Sequence, residues 1–215
     1  MKRRVVILAN SFKVGKRCIA GIDVRNGEWI RPVSPPAGGA VAWNLRTIGG
    51  REPELRDVVE MFVQGDGPDE GCQPENRLLK LVSWQHIRVM SVDRVLRYCE
   101  NNDIILHNDS DSVEADYFQT IPKHQWKSLQ LIRSSDVSFY ANTWEGKKRW
   151  RARLEYGRKR RLDLGLTDPV LIERLSRNEK ISHDCLLTIS LAGPWTPGGI
   201  QPKRCYKLVA GVIEL

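Results

Sequence analysis

Residues Arg4–Val33, RVVILANSFKVGKRCIAGIDVRNGEWIRPV, decide the fold class. Three runs within it, Arg4–Ala9, Arg17–Val24 and Glu28–Val33, are short, rich in β-branched residues and bounded by Gly, Pro, Asn or Asp. Runs of that kind are strands. Asn26-Gly27 between the second and third is the strongest hairpin dipeptide, because both central positions of a type I′ turn need φ > 0. Downstream, Asp57–Val63 and Leu78–Val82 read the same way, separated by the turn-rich Ser34–Ala40, Gly49–Glu54 and Gly65–Pro74. Ser91–Tyr98 reads as a short helix, with Ser91 as N-cap and Val92, Val95 and Leu96 on one face.

A second strand-rich half follows the acidic connection Asn101–Asp116, which the apolar Ile104–Leu106 interrupts. The expected units are therefore 1–105 and 106–215. In the second, Leu129–Arg133, Val137–Thr143, Asp184–Leu191 and Cys205–Glu214 read as strands. Thr167-Asp168-Pro169 reads as a helix start with Thr167 as N-cap, the helix running to about Leu175.

Lys147–Arg161, KKRWRARLEYGRKRR, holds nine Lys or Arg against one acid, Glu155, and so carries the whole formal charge of +8. The remaining residues hold 25 basic and 25 acidic side chains. Trp150, Ala152, Leu154 and Tyr156 fall on one parity, Arg149, Arg151, Arg153 and Glu155 on the other. Period two means a half-buried strand with a basic outer face. Gly157 breaks it as a bulge or bend, and Leu162, Leu164 and Leu166 resume the inward parity.

The chain has 215 residues, 41% of them hydrophobic and 28% charged, the balance of a globular protein with a real core. No apolar run approaches the ~20 residues needed to span a bilayer. The run Val5–Ala9 after MKRR is too short for a signal peptide core, and the protein is expected in the cytoplasm. Five cysteines at wide spacing, with no CxxC, suit a reducing compartment and encode no local zinc or redox site.

Two sets of about five short strands with a helix suit two small Greek-key barrels of the OB type, although one large barrel or a sandwich is compatible with the same inventory. Here a resemblance adds to the reading. Ile7–Ser11 (ILANS), Arg17–Gly21 (RCIAG), Trp29–Val33 (WIRPV), the internal LTDP and the closing YKLVAGVIEL are similar to the prokaryotic dual OB-containing domain family. The resemblance implies a mainly β fold of two small OB-like barrels with one or two short helices each. It also implies a nucleic-acid-binding module, found in defence-type gene neighbourhoods, and it carries no catalytic residues with it.

The candidate site is the basic strand. On a β-strand Arg149, Arg151 and Arg153 lie about 6.5–7 Å apart, a spacing comparable to successive phosphates, and guanidinium forks onto phosphate. Lys147, Lys148, Arg158, Lys159, Arg160 and Arg161 extend the track. The competing reading is a solvated face whose arginines pair with acids of neighbouring strands. Lys13, Lys16 and Arg17 form a second basic group in a loop between strands, beside Phe12; the segment lacks a GxxxxGK[ST] phosphate loop. Trp29 and Arg31 share one face and form a stacking clamp or, alternatively, a barrel end with Arg31 held by an internal carboxylate. Trp43 and Trp195 are exposed-aromatic candidates.

Hydrolytic signatures are missing from the sequence. His183, Asp184 and Cys185 alternate faces on a strand and cannot form a triad. Asp109, Asp111, Glu114 and Asp116 fail the calcium-loop pattern at Val113 and Glu114. The expectation is a non-catalytic protein without metal or cofactor, contacting the backbone of DNA or RNA beside a separate effector protein. The rivals are a metal-dependent nuclease or nucleotide-processing enzyme with dispersed ligands, and an adaptor docking an acidic protein surface.

Overall fold

The computed structural model describes the chain except residues 14–15, 35–40, 101, 145, 159 and 200, and residues 13, 16, 144 and 197 by their backbone alone. The chain divides into two compact units: Met1–Pro68 with Glu75–Tyr98, and Asp69–Pro74 with Cys99–Leu215. The sequence suggested one cut at 105–106. The contacts instead place the cut after Tyr98 and assign the short segment Asp69–Pro74 to the second unit.

The first unit holds strands β1 (Lys2–Lys13), β2 (Lys16–Asp23), β3 (Trp29–Val33), β4 (Asp57–Asp66), β5 (Asn76–Leu79) and β6 (Gln85–Val89). Short helices α1 (Trp43–Arg46) and α2 (Val92–Leu96) accompany them. Pairing runs β1-β2-β3-β5-β4 and returns to β1, a closed ring of five strands, with β6 added on β4. Closure depends on β1. Its first residues pair with β4, from Lys2↔Phe62 to Val6↔Val58, and its later ones with β2, from Val5↔Asp23 to Lys13↔Lys16. A bulge between Ile7 and Ala9 bends the strand so that it serves both neighbours. With β3 and β5 parallel and the helix α1 between β3 and β4, this is the five-stranded Greek-key barrel of the OB fold.

Val5, Ile7, Ile19, Ile30, Val59 and Met61 fill its interior. Gly21, the glycine of RCIAG, sits where a Cβ would lie 2.0 Å from the Val6 carbonyl oxygen, so the motif records a close approach of two backbones. The Asn26-Gly27 turn differs from the expected type I′: only Gly27 has positive φ (76°), and the loop spans four residues between Asp23 and Glu28.

The second unit holds β7 (Ser112–Glu114), β8 (Leu129–Ser134), β9 (Val137–Trp144), β10 (Lys147–Tyr156), β11 (Arg160–Leu166), β12 (Cys185–Leu191) and β13 (Arg204–Glu214). Its helices are α3 (Tyr117–Thr120) and α4 (Pro169–Ser176). The sheet order is β8-β12-β13-β11-β10-β9, with β11 and β13 parallel and β7 beside β13. Its two ends, β8 and β9, are separated by only Ser135 and Asp136, and Asp136 accepts a backbone bond from Glu155 of β10 (3.1 Å). β8 and β9 are thus two halves of one bent strand, the counterpart of β1, and β10, β11, β12 and β13 take the places of β2, β3, β4 and β5. The helix α4 lies between β11 and β12, as α1 lies between β3 and β4.

Leu154, Leu162, Leu164, Leu187, Ile189 and Val209 lie in its core. Gly157 does not merely bend a continuing strand. At φ 52° it turns the chain back, so that Leu154 pairs with Leu162 and Ala152 with Leu164, and all four point inward. The N-cap of α4 is Asp168, not Thr167. The Asp168 carboxylate accepts from Val170 N (3.0 Å) and Leu171 N (3.2 Å), with Pro169 in the first turn. Thr167 donates its hydroxyl to the Val209 carbonyl instead.

Candidate nucleic-acid interface

Period-two patterning sets which side chains of β10 face out. Ala152, Leu154 and Tyr156 are buried, and Trp150 is half-buried with the Lys148 ammonium 4.6 Å from its ring centroid. Arg149, Arg151 and Arg153 share the outer face. Opposite them stand Asn142, Tyr140 and Ser138 of β9; on the other side Gly165 and Asp163 of β11 face Arg151 and Arg153.

The three arginines are not equivalent. Arg151 gives its Nε to Asp163 Oδ1 (2.6 Å) and an Nη to the Asp163 carbonyl (2.7 Å). Arg153 approaches the same carboxylate at 3.6 Å and lies 5.2 Å from the centroid of Tyr140, whose hydroxyl donates to Asp163. Burial alone would raise the Asp163 carboxyl, but the Tyr140 hydrogen bond and the Arg151 and Arg153 guanidiniums hold it below the usual carboxylate range. The ladder expected from the sequence is therefore a Tyr140–Asp163–Arg151–Arg153 cluster with Arg149 beyond it.

The basic stretch divides at this cluster. Toward the β10–β11 turn every described cation meets an acid: Arg158 with Asp103 (3.7 Å), Arg160 with Asp109, and Arg161 with Glu155 (3.5 Å). Lys159 lies outside the described residues. Toward the β9–β10 turn, Lys147, Lys148 and Arg149 are exposed, and among the described residues no acid pairs with them.

In the first unit, Lys13 and Lys16 face each other at the end of the β1–β2 hairpin; their side chains lie outside the described residues. Arg17 is held by Glu52 (Nε to Oε2, 3.0 Å) and lies over the Phe12 ring. The Trp29–Arg31 clamp needs correction. Arg31 is buried, with its guanidinium on Asn76 Oδ1 (3.2 Å) and 3.9 Å from Glu75, so it offers no exposed charge beside the half-buried Trp29. The alternative, an arginine held by an internal carboxylate, describes the geometry. Trp43 and Trp195 are both exposed.

The remaining chemistry-bearing residues have structural partners. His183 bonds the Val137 carbonyl, Asp184 pairs with Arg133 (2.6 Å), and burial pushes the Cys185 thiol up to about 12. Glu114 pairs with Arg204 (3.0 Å), and Asp111 accepts from Ser112 (3.0 Å). Among the described residues no three His, Cys, Asp or Glu side chains gather as a metal ion would require. No described helix is long and apolar enough to cross a membrane.

Sequence reasoning missed Tyr140 and Asp163. Tyr140 was within reach, because the β9–β10 register, with Trp144 opposite Lys147, places it opposite Arg151. Asp163 needed the length of the β10–β11 turn, which Gly157 alone does not give.

Among curated proteins none matches the sequence. One closed five-strand ring and a second sheet of matching strand order are consistent with a double OB protein, and the family model of the dual OB-containing domain matches residues 3–212. With nearly its whole length matched, the chain belongs to the dual OB-containing domain family.

Proposed function

We propose that this protein binds nucleic acid through the second barrel, on the outer face of β9, β10 and β11 and the β9–β10 turn. The observation that carries this is that among the described residues no acid pairs with Lys147, Lys148 or Arg149, on the strand that also carries the Arg153–Tyr140 stack. β10 and β11 correspond to strands two and three of an OB barrel, and the β9–β10 turn to its first loop. OB barrels take oligonucleotides on that face and loop. Phosphates meet the trio, and Tyr140 or Arg153 offers a flat surface to a base. The ligand is DNA or RNA contacted mainly along its backbone, the protein performs no catalysis itself, and it acts in the cytoplasm beside an effector on another chain. The five free cysteines suit that compartment.

Two charge-reversal variants test the site, with binding to labelled single- and double-stranded DNA and RNA as the readout. Lys147/Lys148/Arg149→Glu abolishes binding at moderate salt, whereas Arg158/Arg160/Arg161→Glu weakens it much less, because those cations are already neutralised. Equal losses in the two variants, or none in the first, refute the assignment.

A further inference from the structure

The first barrel carries an arrangement that the basic strand does not explain. Glu52, on the loop before β4, is the centre of it. Its Oε2 lies 3.0 Å from Arg17 Nε in an ion pair and accepts from Asn10 Nδ2 (3.3 Å), and its Oε1 accepts from Arg46 Nη2 (2.8 Å) and Nε (3.2 Å). Arg46 also donates to the Val41 carbonyl, which ties the α1 segment down. Burial would raise the Glu52 carboxyl, but the Arg46 hydrogen bond and the charges of Arg17 and Arg46 hold it below its ordinary value. Both guanidiniums are thus fixed by one charged carboxylate.

Each guanidinium lies over an aromatic ring. Arg17 Cζ is 4.5 Å from the centroid of Phe12, and Arg46 Cζ is 5.2 Å from the centroid of Trp43. Both rings are otherwise open: Phe12 is 51% exposed and Trp43 55%. Trp43 and Arg46 stand three residues apart on α1, so one turn of helix presents ring and guanidinium on one side. Phe12 and Arg17 are cross-strand partners of the β1–β2 hairpin. Two unrelated local structures deliver the same pair, an exposed ring backed by a fixed arginine, to the two oxygens of Glu52.

Leaving two large rings in water forgoes the burial that would normally hold them. Holding each ring in place beforehand lowers the ordering cost of binding at it. A flat ring with a cation on one face and solvent on the other suits a nucleobase, which has a π-face whatever its identity. We propose that Phe12 and Trp43 form a two-point stacking site for unpaired bases. The first barrel thereby selects single-stranded over double-stranded nucleic acid. This rests on the nucleic-acid reading above and adds to it strand preference and base contact on the other barrel.

The test uses the full chain and a labelled oligothymidylate, with a duplex of the same length. Phe12→Ala with Trp43→Ala lowers single-strand affinity about tenfold or more, leaves duplex affinity unchanged, and leaves the salt slope unchanged because stacking neutralises no phosphate. Trp43→Phe retains affinity. Difference in fluorescence quenching between wild type and Trp43→Phe reports stacking on Trp43 in the folded protein, whether or not the double alanine variant folds. Wild-type binding with no loss in the alanine variant and no Trp43 quenching overturns the stacking site and spares the basic-strand reading. Wild type that binds neither strand form overturns the basic-strand reading, and the stacking site with it.

Discussion

Arg151 and Asp163 are joined diagonally across β10 and β11, Nε to Oδ1 at 2.6 Å, although the residue paired opposite Asp163 is Arg153. That diagonal draws one carboxylate between two guanidiniums and closes the middle of the basic stretch. What it leaves open is the end at Lys147, Lys148 and Arg149. The charge of the sequence is spread over fifteen residues, but among the described ones the cations that no acid pairs are Lys147, Lys148 and Arg149.

Asp163→Asn therefore has two opposed effects. It weakens the cluster, and since Arg151 and Asp163 are about one-third exposed the loss of stability is only about 1 kcal/mol. It also frees Arg151 and Arg153 for phosphate. Thermal melts and binding on the same preparation should show a lower Tm together with tighter binding at low salt. A lower Tm with weaker binding would place the nucleic acid elsewhere.

Asp103 and Asp109 occupy Arg158 and Arg160 as phosphates would. Replacing both with Asn exposes two further cations. The salt dependence of single-strand binding is expected to steepen by about 1.4, at roughly 0.7 per added phosphate contact. An unchanged slope means that the β10–β11 turn stays outside the interface.

Gly21→Ala tests the first barrel itself. A Cβ there would lie 2.0 Å from the Val6 carbonyl oxygen and 2.7 Å from a Val5 methyl, and the neighbour that must move is backbone. The expected loss is about 4 kcal/mol or more, read as a failure to fold or a lost denaturant transition. A Tm within a few degrees of wild type contradicts the close approach.

Lys207 is buried on β13, with its ammonium on the Asn108 carbonyl (2.6 Å) and Oδ1 (2.9 Å). Burial lowers its pKa from 10.5 to about 8, against the opposing pull of Asp109 and Asp111. Between those values the unfolded chain binds more protons than the folded one, so this group adds stability as pH rises, up to about 3 kcal/mol. Burial raises the thiols of Cys99 and Cys185 to about 11 and about 12, and above pH 9 they act in the opposite direction. The comparison with Lys207→Met is made over pH 8–9, where the cysteines are common to both proteins. There wild type gains stability relative to Lys207→Met, and parallel curves would refute the shifted lysine.

The strands were legible because period two is a local property: Trp150 through Tyr156, and Leu162 through Leu166, needed no knowledge of their neighbours. What was not legible depended on pairing partners distant in the chain. For Arg31 the sequence left two readings open, a stacking clamp or a cation held inside the barrel, and only Asn76, 45 residues away, decides between them. Asp69–Pro74 has the composition of a free loop, yet Cys72 is buried, and Gln73 donates to the Leu191 carbonyl (2.9 Å) of the second unit. The basic stretch shows both cases. Its inward and outward faces follow from its own letters, whereas the division into neutralised and open ends depends on Asp163, Asp103 and Asp109. Those acids reach the strand only through the turn at Gly157 and the fold of the acidic connection.

The most direct test of the open-end claim is the slope of log affinity against log salt for single-stranded oligonucleotide, in wild type and in Lys147/Lys148/Arg149→Ala. Three free cations at roughly 0.7 each predict that the variant's slope is shallower by about 2. Identical slopes in the two proteins would contradict the account.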